Sequence, residues 1–128
     1  MTDQPRAPAA IRIDLVALGE ASEGNGPQWS YESADLDLTF LSWQSGREIA
    51  AHVNGEVDVV LFVVVGTGEV TVNGETHALT AGQALLIPKG SERAIRCTGE
   101  RFSYLSIHRR RAGLWPTVRG FSQVGTST

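Results

Sequence analysis

The chain has 128 residues, 41% of them hydrophobic and 20% charged, with a formal net charge of −3. That length suits one domain with one core, which has to carry stability and site together. The longest apolar run covers residues 59–65, far short of a membrane-crossing helix, and the net acidity argues against a nucleic-acid surface. A single cysteine, Cys97, excludes an internal disulfide framework and suits a reducing compartment, so the expected location is the cytoplasm.

Residues 1–10 (MTDQPRAPAA) lack the charged-then-apolar plan of a secretory signal and read as a loose tail. Residues 11–18 alternate as I-R-I-D-L-V-A-L, which predicts a half-buried strand. The polar, glycine-bearing residues 19–35 read as a loop, with Trp29 and Tyr31 covering one end of a barrel. Residues 36–43 (LDLTFLSW) alternate again and predict a second strand.

Further short strands follow at 47–53, 57–65, 69–72, 76–79, 84–87, 93–97 and 102–107, about nine in all with no convincing helix. Asn73-Gly74 can take positive φ at both central positions of a type I′ turn, so VTVNGETHAL reads as a hairpin. Asn54-Gly55 has the same chemistry and predicts that 47–53 and 57–65 are antiparallel neighbours. So many short strands with tight turns belong to a sandwich or barrel, placed at residues 11–108. Residues 109–128 form a basic tail with four arginines and no acid, in which Trp115 and Phe121 are expected to pack on the barrel or a neighbouring subunit.

Two stretches carry the function. GREIAAHVNGEVDVVLFVVVG (46–66) and GQALLIPKGSER (82–93) have the spacing of the two motifs of the cupin superfamily, which the chain resembles. The first motif sets glycine, two histidines, a glutamate and glycine at fixed intervals; here they are Gly46, His52, Asn54, Val59 and Gly66. The second sets glycine, proline, glycine and histidine, with an asparagine further on; here they are Gly82, Pro88, Gly90, Arg93 and Cys97. The resemblance implies an all-β, small cupin-type β-barrel or double-stranded jelly roll with little or no helix, a pocket at His52, and a homodimer. The 11–18 strand and the C-terminal segment are candidates to cover an exposed sheet edge of that dimer.

Of the four positions where the family holds a metal, one retains a good donor. Asn54 offers a neutral amide, Val59 offers nothing, and Arg93 brings a fixed positive charge that repels a cation. The leading expectation is therefore a pocket in which His52, Asn54 and Arg93 bind a small anionic organic ligand, with no resident cofactor. A one-residue register change would turn Asp58 inward. With Asp58 or Glu56 beside His52, and His108 as a further donor, the chain would instead read as a metal-dependent dioxygenase or isomerase using Mn, Fe, Ni, Cu or Zn. A third alternative is a non-catalytic sensing or scaffold domain that retains the fold alone.

Each residue also has a plain structural reading. His52 could be a hydrogen-bonded core group, and Arg93 could turn outward to pair with Glu92 or Glu100. Inward, it demands an anion: Glu56, Asp58 or a bound ligand. Cys97 reads as a small core residue, Lys89 as a solvated charge and His77 as an exposed side chain. No nucleic-acid or membrane partner is expected.

Overall fold

The computed structural model describes residues 9–110, and within them the chain is mostly β-structure. One short helix, α1 (Leu15–Ala21), precedes seven strands: β1 (Gly26–Glu32), β2 (Leu36–Gln44), β3 (Glu48–Val53), β4 (Val59–Val72), β5 (Glu75–Thr80), β6 (Ala84–Ile87) and β7 (Glu92–Arg109). All pairings are antiparallel. β4 and β7 are the long members, and each contributes to both layers of a jelly roll. The first half of β4 pairs with β6 and with the second half of β7; its second half pairs with β5 and with the first half of β7. β2 and β1 extend the first layer, and β3 extends the second through β7.

The bend between layers falls where the β4–β7 register shifts, between Val63 and Val65 and between Gly66 and Gly68. Gly66 has φ +84°, and a methyl group there would collide with the Arg101 carbonyl on β7. Only glycine allows the two backbones to approach so closely while the chain turns. The inner faces of both layers close on one core, in which Leu41, Leu61 and Tyr104 of the first layer meet Val70, Leu79 and Ile95 of the second.

The Asn73-Gly74 hairpin forms as its sequence predicts, with φ of 50° and 85° at its two central residues. Four other expectations are corrected. Residues 11–18 do not form a strand: Asp14 caps a helix by accepting from Ala17 N at 3.0 Å. Gly19 then lets that helix lie against Val65 and Phe40, where its own missing Cβ would stand 2.8 Å from Val65 Cγ2. The supposed 19–35 loop contains β1, whose Trp29 and Tyr31 sit opposite Phe40 and Leu38 on the outside of the sheet instead of over the barrel mouth.

Asn54-Gly55 makes no hairpin, and β3 pairs with β7 instead of β4. Asn54 spends its side-chain oxygen on Glu56 N at 3.0 Å and its carbonyl on Gly90 N at 2.7 Å, which sends the chain across to the other layer. Finally, the expected nine short strands are seven, because the glycines near 66–68 and at Gly99 mark irregularities inside β4 and β7 and do not end them. No helix among the described residues is long and apolar enough to cross a membrane. Trp115 and Phe121 lie outside the described residues.

Candidate functional site

β3 alternates, so Val53, 59% exposed, points outward and its neighbour His52 points inward. His52 stands directly across from Arg93 on β7, and Arg93 in turn stands across from Val72 on β4. Arg93 is only 2% exposed, so it faces the interior and does not turn outward to Glu92 or Glu100. Arg93 and Glu56 are each engaged by neighbouring groups. Asp58 is not turned inward. It is exposed, and its Oδ1 accepts from Lys89 N at 2.8 Å. Val59, Leu61 and Val63 make the inward row of β4, each no more than 2% exposed.

The local hydrogen bonds fix what each site atom presents. His52 Nδ1 lies 3.3 Å from the Ala50 carbonyl, an acceptor, so Nδ1 donates in that bond, and in the tautomer with that single proton Nε2 carries the lone pair. That Nε2 is buried with no hydrogen-bond partner among the described residues. The Asn54 amide, with its oxygen held by Glu56 N, likewise leaves Nδ2 buried and unpartnered. Buried polar atoms are nearly always satisfied, so two such atoms from residues two apart, one of them on the cross-strand neighbour of Arg93, mark the candidate site.

Residues the motif spacing does not reveal close the interior. On the second half of β7, Tyr104, Ser106 and His108 alternate inward, all 6% exposed or less. Tyr104 receives a hydrogen bond from Trp43 Nε1 at 2.9 Å. Burial pushes its phenol up to about 12, against smaller opposing effects of the Trp43 bond and the Arg93 charge. Ser106 Oγ, on a residue 1% exposed, has no hydrogen-bond partner among the described residues. The pattern F-S-Y-L-S-I-H carried the signal, since every second residue of an inward strand is a candidate lining group.

The remaining candidates have other surroundings. His108 places Nδ1 2.8 Å from the Arg109 carbonyl and Nε2 3.9 Å from Asp37 Oδ2, so both ring nitrogens face protein acceptors. Cys97 is 4% exposed in the core, with its thiol directed at the Gly99 carbonyl. His77 lies 3.8 Å from Glu75 at the hairpin, and Lys89 is exposed.

Tested against a metal, the four family positions supply one imidazole, one amide, one valine and one guanidinium. That donor set does not suit a tightly held cation: a first-row ion takes three or four imidazole, thiolate or carboxylate ligands, and the buried arginine adds repulsion. Among the described residues no three of His, Cys, Asp and Glu come together as a metal-holding group.

A jelly roll with His52 and Arg93 paired inside it, on the two spaced motifs, is a cupin, and the family model for the cupin domain matches residues 39–108. The chain belongs to that family. Solved structures agree on the fold. A protein of Bacillus halodurans, BH2720, is similar with a TM-score of 0.70 at 21% identity, covering 80% of this chain and 82% of its own. A Klebsiella pneumoniae protein with a double-stranded β-helix domain gives 0.68 at 21%, covering 83% and 95%. KdgF from a Halomonas species gives 0.60 at 22%, covering 64% and 76%. Comparison with curated proteins gives no match.

Proposed function

We propose that the protein binds a small organic acid inside the cupin barrel, through His52, Asn54 and Arg93, without a tightly held metal. The supporting observation is the pair of buried, unpartnered atoms, His52 Nε2 and Asn54 Nδ2, next to the buried Arg93. Their chemistry is complementary. Asn54 Nδ2 and the guanidinium donate, which suits a carboxylate or carbonyl oxygen, while His52 Nε2 accepts, which suits a hydroxyl or an acidic C–H of the same guest. A 2-hydroxy or 2-oxo acid carries this combination.

Isothermal titration with a panel of two- to six-carbon carboxylic, hydroxy and oxo acids tests the proposal. At least one acid binds saturably, and His52→Ala or Arg93→Met weakens it by about 10- to 100-fold, the usual effect of losing a charge-assisted hydrogen bond. Absence of binding across the panel overturns the proposal, as does binding that both variants leave unchanged.

A further inference from the structure

Ser106 is 1% exposed, and its Oγ has no hydrogen-bond partner among the described residues. It shares one face of β7 with Tyr104, a member of the core, so its hydroxyl points into the barrel. The registers set it between Thr39 on β2 and Leu61 on β4. Thr39 shares the inward face of β2 with core residue Leu41, and Cβ atoms directly across a strand pair stand about 4.5–5.5 Å apart. Two hydroxyls therefore lie side by side on the inner face of the first layer. Thr39 is half-buried, so this polar strip meets solvent on the β2 side.

The strip and the acid site share one end of the barrel. The chain leaves β3 at Val53 in the second layer and enters β4 at Val59 in the first; it leaves β6 at Ile87 in the first and enters β7 at Glu92 in the second. Val53 pairs with Glu92, and Val59 pairs with Ile87. Both crossings are short, and Gly90 N donates to the Asn54 carbonyl at 2.7 Å, which ties one crossing to the other. The Val53–Glu92 edge of one layer and the Val59–Ile87 edge of the other thus close the same end. His52 and Arg93 stand one residue in from that edge, and Ser106, opposite Leu61, stands two residues in from Val59. Packed layers are about 10 Å apart, and side chains from both sides shorten that span to one that a small acid with a polar group at each end can bridge.

We infer that Ser106 and Thr39 form the far half of the site and hold a hydroxyl of the bound acid, so that the guest is a hydroxylated monocarboxylate. The inference rests on the acid-binding reading of His52, Asn54 and Arg93. A serine and a threonine can each donate and accept, so together they satisfy a guest hydroxyl in both of its roles. A second carboxylate is disfavoured at that end. Asp37 stands in the next inward row of β2, across from His108, and its carboxylate, 3.9 Å from His108 Nε2, repels another negative group. The two layers then divide the recognition: the second takes the charge of the acid and the first takes its hydroxyl.

Isothermal titration of the full chain with butanoate, pentanoate and hexanoate, each beside its terminal-hydroxy and dicarboxylic analogues, tests the inference. In at least one series the hydroxy acid binds about 3- to 10-fold more tightly than the plain acid, and the diacid binds more weakly than the hydroxy acid. Ser106→Ala and Thr39→Val each remove the preference for the hydroxyl while leaving affinity for the plain acid unchanged. His52→Ala and Arg93→Met instead weaken both members of the pair alike. Circular dichroism and thermal melts check that the variants fold, and Thr39→Val, at a half-buried position, carries the test if Ser106→Ala does not. Failure of every acid to bind the wild type overturns this inference together with the reading on which it rests. Acid binding without a hydroxyl preference, a preference that the folded variants retain, or an equal loss of plain and hydroxy acid in those variants overturns this inference alone.

Discussion

Gly66→Ala tests the bend on which the site depends. Gly66 and Gly46 share the same φ of +84°, but they differ in surroundings: a Cβ at Gly46 meets nothing within 4 Å, whereas at Gly66 it runs into the Arg101 carbonyl of β7. An alanine in the left-handed region costs about 1–2 kcal/mol at either site. At Gly66 the backbones of β4 and β7 must also move apart, which adds about 1–3 kcal/mol by analogy with overpacked cores. Gly46→Ala should therefore lose about 1–2 kcal/mol and Gly66→Ala about 2–5 kcal/mol. For a domain of this size those losses correspond to falls in Tm of roughly 4–8 °C and 8–20 °C. Urea melts and thermal scans on the two variants measure the difference directly. Equal losses would refute the claim that close approach, and not backbone conformation alone, holds glycine at the bend.

The remaining predictions concern the site and its surroundings. Protein prepared without chelator, incubated with Mn, Fe, Ni, Cu or Zn salts and desalted, retains well under one equivalent of any metal by elemental analysis. Asp58→Ala leaves that result and acid binding unchanged while costing about 0.5–1.5 kcal/mol for the lost bond to Lys89 N; stoichiometric metal that disappears in His52→Ala would contradict the assignment. Tyr104→Phe strands the buried Trp43 Nε1 donor and costs about 1–3 kcal/mol in urea melts. Because folding raises the Tyr104 phenol from 10.0 to about 12, the native state holds that proton more tightly. Its contribution is complete below pH 10 and is lost as pH climbs toward 12, a slope that Tyr104→Phe removes.

Much of the fold was legible because the turns need particular residues. Asn73-Gly74 fixed the β4–β5 hairpin, and the motif glycines Gly46, Gly66, Gly82 and Gly90 all take positive φ. The errors arose where one local signal has two physical outcomes. I-R-I-D-L-V-A-L satisfies a strand alternation, yet Asp14 can also cap a helix that half-buries Leu15 and Leu18 and buries Gly19. Q-W-S-Y-E in β1 alternates aromatic with polar residues, but its glycine-rich flank suggested a loop. Asn54-Gly55 has hairpin chemistry, and only the long-range bond from Gly90 to the Asn54 carbonyl diverts it.

The candidate site divides along the same line. Its positions followed from motif spacing, but the direction of Arg93 did not, because Arg93 lies between two glutamates close in sequence, Glu92 and Glu100, that could have drawn it outward. The decisive information is the cross-strand register that sets Arg93 between His52 and Val72. Since β7 alternates, a residue aligned with inward His52 on one side and inward Val72 on the other has to face inward too. Once it does, the family's histidine position holds a permanent cation, which opposes a metal ion there. Val59, 1% exposed, supplies no carboxylate at the family's glutamate position. A single substitution back to histidine at Arg93 would therefore not restore a metal, because Asn54 and Val59 still withhold two of the four ligands. Building one requires Asn54→His, Val59→Glu and Arg93→His together, because the missing donors are spread over β4, β7 and the residue that follows β3.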